Sequence, residues 1–226
     1  MKKLLISIAA WLAFMVQAYA GGSVGVTLTA ASIDTALKDD IDSNGTTNTT
    51  KNISNDIAYG SLFAEMTSDT NASGLSLTVG VDYIPFEAEF DSRSTTQSSL
   101  KAKGDGAATS GTNKGTADVS KHFTFYVQPT RELDNGSKLF ATLGYVRADV
   151  ESLVQSVSST DKTVEQTLEG FKFGVGMKRD MGANGFFKLE LNRTDYDDIS
   201  ATTSNSTKVT ADIDTTVLGL SVGKSF

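Results

Sequence analysis

Apolar and polar residues alternate with a period of two along most of this chain, and turn residues interrupt the alternation at intervals. That pattern predicts β-strands with two unlike faces. Near the C-terminus, Leu218, Leu220, Val222 and Phe226 share one face, and Val217, Gly219, Ser221, Gly223 and Ser225 share the other. The same rhythm recurs upstream. Val24, Val26 and Leu28 alternate with Gly25, Thr27 and Thr29, and Leu75, Leu77, Val79, Val81 and Tyr83 alternate with Ser76, Thr78, Gly80 and Asp82. Phe123, Phe125 and Val127 alternate with His122, Thr124, Tyr126 and Gln128, and Leu139, Ala141, Leu143 and Tyr145 with Phe140, Thr142 and Gly144. Phe171, Phe173, Val175 and Met177 alternate with Lys172, Gly174, Gly176 and Lys178, and Phe187, Leu189 and Leu191 with Lys188, Glu190 and Asn192. An eighth strand is needed around Ile57 to Met66. Its facing stays open, because Tyr59 and Phe63 share a parity with Glu65.

The large residues sit opposite small or polar ones. A soluble barrel turns its large residues inward, whereas a small membrane barrel presents them to lipid and keeps small or polar residues inside. The connections support the second reading. Ser68 to Gly74, Asp134-Asn135-Gly136-Ser137 and Gly182-Ala183-Asn184-Gly185 read as tight turns. They alternate with four longer polar segments, Thr35 to Asn55, Asp91 to Gly115, Val154 to Asp161 and Ser200 to Thr207. Short periplasmic turns and long outer loops are the asymmetry of outer-membrane barrels. The expected fold is therefore all-β, an eight-stranded antiparallel up-and-down transmembrane barrel with both ends periplasmic. Within the loops, Asp40 to Asn55 and Ser92 to Lys114 are so rich in Ser, Thr, Asn, Asp and Gly that they are expected to stay mobile.

Composition narrows this further. Lys2 and Lys3, the apolar run Leu4 to Val16 and Ala18-Tyr19-Ala20 read as a signal peptide cleaved after Ala20. The expected organisation is thus residues 1–20 as signal and 21–226 as one barrel domain. No later run is long and apolar enough for a membrane helix, which leaves a closed barrel as the way to cross a bilayer. Sixteen strands would leave only about 13 residues for each strand and its connector, too few for a general porin with these loops. Of 20 basic residues, Lys2 and Lys3 leave with the signal, so the mature net charge against 27 acidic residues is −9. That balance argues against nucleic acid as a partner and is compatible with divalent cations at the loops. The absence of cysteine excludes disulfides, thiolate metal sites and lipidation at cysteine. No cofactor is indicated.

With these features together, the chain resembles the small eight-stranded outer-membrane barrels of the OmpA/OmpX, porin-like type. The resemblance rests on the signal peptide, on Gly80-Val81-Asp82-Tyr83, Leu143-Gly144-Tyr145 and Gly174-Val175-Gly176, and on the ending Leu218-Gly219-Leu220-Ser221-Val222-Gly223-Lys224-Ser225-Phe226. It implies residence in the bacterial outer membrane among its lipids and lipopolysaccharide. It also implies handling by periplasmic chaperones and by the barrel-assembly machinery, with Leu220, Val222 and Phe226 as the assembly signal. No peptidoglycan-binding domain is expected after Phe226. Arg147 and Arg193 depart from the pattern, since both share the lipid-facing parity. Charge there costs about 2–4 kcal/mol at the bilayer midplane and little at its edge, so both are expected at the outer rim.

The richest candidate chemistry is a polar network in the lumen. Asp82, Lys172, Lys178, Lys188 and Glu190 have inward parity, and Glu65 is a further candidate. An eight-stranded barrel has room only for its own side chains, and charges there must pair. Two readings stay open: a plug of salt bridges, or a narrow gated ion path. Asp40-Ile41-Asp42-Ser43-Asn44-Gly45 has the start of a calcium loop, which makes Asp40, Asp42 and Asn44 a weak cation candidate. Lys51 stands where that motif needs a bidentate glutamate, so no metal site is assigned. Gly219 to Ser225 has one residue too few between its glycines for a phosphate loop, and Lys224 is expected to snorkel at the rim. His122, the only histidine, precedes Thr124 by two and resembles the His-x-Ser of outer-membrane lipid A deacylases. No acidic orienter is evident, so enzymatic use is not expected. The Asn-x-Ser/Thr triplets at Asn44, Asn48, Asn52, Asn71 and Asn205 read as loop composition.

The favoured expectation is a non-enzymatic barrel with a structural or surface-interaction role through its outer loops. A narrow channel is the alternative, and a lipid hydrolase using His122 is the third reading.

Overall fold

The computed structural model describes residues 21–40, 49–86, 88–101, 108–156, 159–202 and 208–226, so the predicted signal peptide lies outside it. The alternating segments become ten strands. They are β1 (Gly21–Asp40), β2 (Thr49–Thr67), β3 (Leu75–Ile84), β4 (Ala88–Lys101), β5 (Ala108–Glu132), β6 (Ser137–Ser156), β7 (Ser159–Asp180), β8 (Gly185–Tyr196), β9 (Ile199–Thr202) and β10 (Lys208–Ser225). Both β3 and β4 pair with β5, and both β8 and β9 pair with β10. Each of these two pairs is therefore one stave with a break, at Pro85-Phe86 and at Asp197-Asp198. Eight antiparallel staves result, and the β1–β10 ladder closes the ring. Phe226 completes that closure by exchanging both backbone hydrogen bonds with Gly22, at 2.9 and 3.2 Å.

The three tight turns stand where the sequence predicts them. Gly136 (φ 76°) shows why glycine is needed there, since a side chain is strained in the left-handed region. The long connectors differ from expectation. β1 pairs with β2 as far as Asp39 opposite Thr49, and β4 with β5 as far as Lys101 opposite Ala108. β6 meets β7 at Ser156 opposite Ser159, and β10 meets β9 at Lys208 opposite Thr202. Much of Thr35 to Asn55 and of Asp91 to Gly115 is thus paired ribbon rather than loop. A ladder satisfies each backbone N–H and C=O without burying a side chain, and threonine favours extended backbone. Low hydrophobicity therefore does not prevent this kind of order.

Pairing is not complete around the ring. The β2–β3 ladder stops at Leu62 opposite Tyr83, and among the described residues β4 pairs with β5 alone. On the opposite side the β7–β8 register ends at Gly170 opposite Tyr196, but the Asp197 N–H still donates to the Glu169 carbonyl at 2.7 Å, and Gln166 Nε2 donates to the Ser200 carbonyl of β9 at 2.7 Å. Past the β2–β3 level, β4, β5, β6 and β7 remain one sheet, and β7 stays bonded to the β8–β9 stave through these contacts. Pro85 lacks the N–H needed to continue one ladder, and Asp197-Asp198 interrupts the other stave.

The outward faces match the expected membrane belt. Val24, Val26, Leu28, Leu62, Met66, Phe125, Leu143, Phe173, Val175, Leu191, Leu218 and Leu220 are all exposed on the outside of the ring. At the belt edge towards the long hairpins, Tyr83 stacks on Phe123 (4.6 Å between centroids), and Tyr145 meets Phe171 edge-on. Arg147 stands across the ladder from Phe123, and Arg193 from Phe173. Arg193 holds Asp195 and Asp214 at 2.9 and 2.8 Å, and Arg147 lies 3.9 Å from Glu169.

The inside departs from a uniformly small and polar lumen. Phe63, Tyr126, Phe140 and Phe186 are buried towards the tight turns. Towards the long hairpins, Ala148, Val150 and Leu168 pack with Val119, Tyr196, Ile199 and Ile213. Buried apolar groups therefore lie inside the barrel towards both ends, with charged residues between them.

Candidate functional site

Four inward glycines govern the lower lumen, and each sits directly across a ladder from an aromatic residue. The pairs are Gly25 with Phe63, Gly80 with Tyr126, Gly176 with Phe140 and Gly223 with Phe186. A Cβ on any of these glycines would come within 3 Å of its partner's ring. The bare glycine lets the ring lie flat across the neighbouring strand, an arrangement in which the aromatic covers backbone that glycine leaves exposed. Two of the rings meet inside the barrel. Phe63 and Phe186 are 6.2 Å apart, and Lys178 Nζ lies 3.8 Å from the centre of the Phe186 ring.

On this aromatic layer rests a buried ion pair between Lys188 and Glu65. Tyr126 donates its hydroxyl to Glu65 at 2.8 Å, and Ser23 donates at 3.4 Å. Lys188 Nζ also lies 4.3 Å from the Phe63 ring centre, and such a cation over an aromatic face is attracted by the ring quadrupole. The next level holds Lys172 with Glu190 at 3.3 Å, and Asp82 accepting from Ser61 at 2.7 Å. Asn192 donates to Glu190 at 3.3 Å, and Gln128 to Thr142 at 2.9 Å.

The expected lumen residues thus separate into layers. Lys172 and Glu190 form one pair. Lys188 pairs with Glu65, whose facing the pattern of residues left open. Asp82 is held by a hydroxyl rather than a cation. Lys178 makes no salt bridge among the described residues and lies over an aromatic ring instead. Leu220, Val222 and Phe226 all face outward and are exposed. Asp40 is the last residue of β1, opposite Lys208, while Asp42 and Asn44 lie outside the described residues.

Above the ion pairs is a cavity of about 60 Å³, room for a few waters. Asp82, Lys172, Glu190 and Asn192 line its lower part, and Tyr59, Ile84, His122, Val146, Tyr196 and Val217 are also in its wall. His122 enters it beside a β-bulge. Between Ser120 and Phe123 the β5–β6 register shifts by one residue, with Lys121 at φ 49°. The imidazole Nε2 lies 3.2 Å from the Tyr196 hydroxyl, while Nδ1 is buried with no protein partner. A carboxylate on Nδ1 would be needed to orient a catalytic base, and none is there. His122 and Thr124 therefore do not assemble a hydrolytic triad among the described residues.

No protein-family model matches the chain, and no curated protein matches it in sequence. Solved structures do. OprG from Pseudomonas aeruginosa aligns with a TM-score of 0.53 at 14% identity, covering 92% of this chain and 97% of that one. The outer membrane protease OmpT from Escherichia coli gives 0.48 at 7% identity, over 91% and 97%. Ail of Yersinia pestis gives 0.43 at 11% identity, over 91% and 99%. At such identities the likeness is one of fold, and the OprG alignment carries it. With eight staves, a closed ladder and an apolar exterior, this chain has the fold of the small outer-membrane β-barrels.

Proposed function

We propose that this protein is an integral, non-enzymatic outer-membrane barrel that does not conduct through its lumen and acts at the cell surface through its long hairpins. The observation that carries this reading is the filled lumen. Four buried aromatic residues and the buried Glu65–Lys188 pair lie inside on the side of the tight turns, and a buried apolar cluster lies on the other side. In this reading residues 1–20 are a signal peptide, both termini are periplasmic, and the surroundings are outer-membrane lipids and lipopolysaccharide. Periplasmic chaperones and the barrel-assembly machinery deliver the chain, with Leu220, Val222 and Phe226 as the recognised ending. The hairpins offer a large polar surface, and the excess of acidic residues suits divalent cations there.

Two measurements test this together. A cysteine placed at Asn44 should react with a membrane-impermeant maleimide in intact cells, and one at Asn135, in a tight turn, should react only after lysis. Labelling at Asn135 in intact cells would reverse the orientation. Liposomes carrying the folded protein should swell in small sugars no faster than empty ones, and faster swelling would remove the closed-lumen reading.

A further inference from the structure

Carboxylates and ammonium groups do not balance around the lumen cavity. Asp82 and Glu190 stand in its wall with Lys172 and Lys188. Lys172 holds Glu190 at 3.3 Å, while Lys188 is committed to Glu65, a third carboxylate that is not itself in the wall. The other lysine of the lumen, Lys178, lies over the Phe186 ring and is not in the wall either. Asp82 is therefore left without a salt bridge among the described residues. The Ser61 hydroxyl, 2.7 Å from Oδ2, is its one hydrogen-bond donor there. An ionised carboxylate offers about four acceptor positions. A charge held inside a protein without a counter-charge is costly.

The strand register places a wall of oxygen atoms beside this charge. From Asp82 on β3 round to β8, the arc through β2, β1 and β10 presents two rows. One is Ser61, Thr27 and Ser221, which ends at Lys188. The other is Tyr59, Thr29 and Gly219, which ends at Glu190. All of these residues line the cavity, and the Thr27 and Ser221 hydroxyls lie 2.8 Å apart. A hydroxyl that donates one hydrogen bond keeps lone pairs for a further partner. Carboxylate and hydroxyl oxygens are the donors that hard cations take. One surplus negative charge suits a monovalent ion. Among the described residues, no three acidic or histidine side chains converge as a divalent ion would require. The volume of about 60 Å³ has room for one small ion and a water or two. We infer that the lumen holds a resident alkali cation of the size of sodium, between Asp82 and the hydroxyl wall of β1, β2 and β10. The ion completes the charge balance of the polar level and stabilises the closed barrel. It exchanges with solvent through transient local opening rather than by conduction. This inference goes beyond the reading above and depends on neither the orientation nor the role of the hairpins.

Urea unfolding of the mature barrel in a neutral detergent tests the site. The midpoint would be measured in sodium, caesium and choline chloride, mixed to one total ionic strength so that screening stays constant. It should rise and level off as sodium replaces choline, since an ion that binds only the folded state stabilises it by mass action. Caesium, too large for the space, should raise it less. Asp82→Asn keeps an acceptor for Ser61 and removes the charge, so its midpoint should be the same in all three salts. Thr27→Val preserves shape and removes one hydroxyl of the wall. It should raise the half-saturating sodium concentration about fivefold or more, as loss of one bond to a charged group implies. A midpoint indifferent to the cation would overturn the site. So would a sodium effect that survives Asp82→Asn, which would place the ion on acidic residues elsewhere, or a half-saturation unchanged in Thr27→Val. If Asp82→Asn does not fold, Thr27→Val decides the matter. Failure of the closed-lumen reading would appear separately, as swelling of liposomes.

Discussion

Glu65→Leu should lower the stability of the folded barrel by about 3–5 kcal/mol, because it leaves Lys188 charged, buried and unpaired. The loss would be read as a fall in the urea midpoint at which the unboiled protein ceases to migrate differently from the boiled protein on a denaturing gel. Lys188→Met alone should cost a similar amount by leaving Glu65 behind, although the hydroxyls of Tyr126 and Ser23 would still donate to it. The double variant Glu65→Leu/Lys188→Met should recover most of the loss. Attraction within a buried pair is largely offset by the cost of removing both charges from water, so an apolar pair of similar volume is often as stable. A loss in the double variant equal to the sum of the two single losses would mean that the two residues act independently, against the contact described here.

Gly25→Ala should destabilise the barrel by about 1–3 kcal/mol, the usual cost of forcing a group into a filled interior. Its methyl would collide with the Phe63 ring and with the carbonyl oxygen of Val222, and the backbone oxygen cannot swing aside. Displacing Phe63 would also disturb the ring over which Lys188 lies. Gly60→Ala provides a control of opposite sign. Its Cβ would meet only the Thr27 carbonyl, at 3.7 Å, and alanine is favoured over glycine inside a strand by roughly 0.5–1 kcal/mol. A loss at Gly60 equal to that at Gly25 would mean that the glycines are interchangeable and that the ring contacts carry no weight.

The strand order, the eight staves and the tight turns were legible because period-two alternation survives wherever one face meets a different medium from the other. The positions of Lys172, Lys188, Glu190 and Asp82 on the inner face followed from the same parity. Glu65 was harder. Tyr59 and Phe63 share its face, and large aromatic residues suggest lipid when a lumen is expected to be small and polar. The signal that resolves it lies on the neighbouring strands, where Gly25 and Gly80 have inward parity and leave space for Phe63 and Tyr126. Spacing within one strand does not carry that information, because register joins residues far apart in the chain. The long hairpins misled for another reason. Hydrophobicity measures the ability to bury side chains, whereas these ribbons are held by backbone pairing. The breaks in two of the staves had their clues in Pro85 and in Asp197-Asp198, both of which fall within segments otherwise suited to strands. His122 was placed in the lumen by parity, but its bond to Tyr196 crosses from β5 to β8 and could not be read from either strand alone.

The central claim is that the side chains of the lumen close it. Single-channel recording in planar bilayers tests this most directly when the natural mature chain is compared with a variant cored by Phe63→Ala, Phe140→Ala, Glu65→Ala and Lys188→Ala together. Both must first show the folded form on unboiled gels. The natural protein should give no discrete conductance steps, and the cored variant should give them. Steps of equal size from both proteins would show that ions bypass these residues, and would contradict the account.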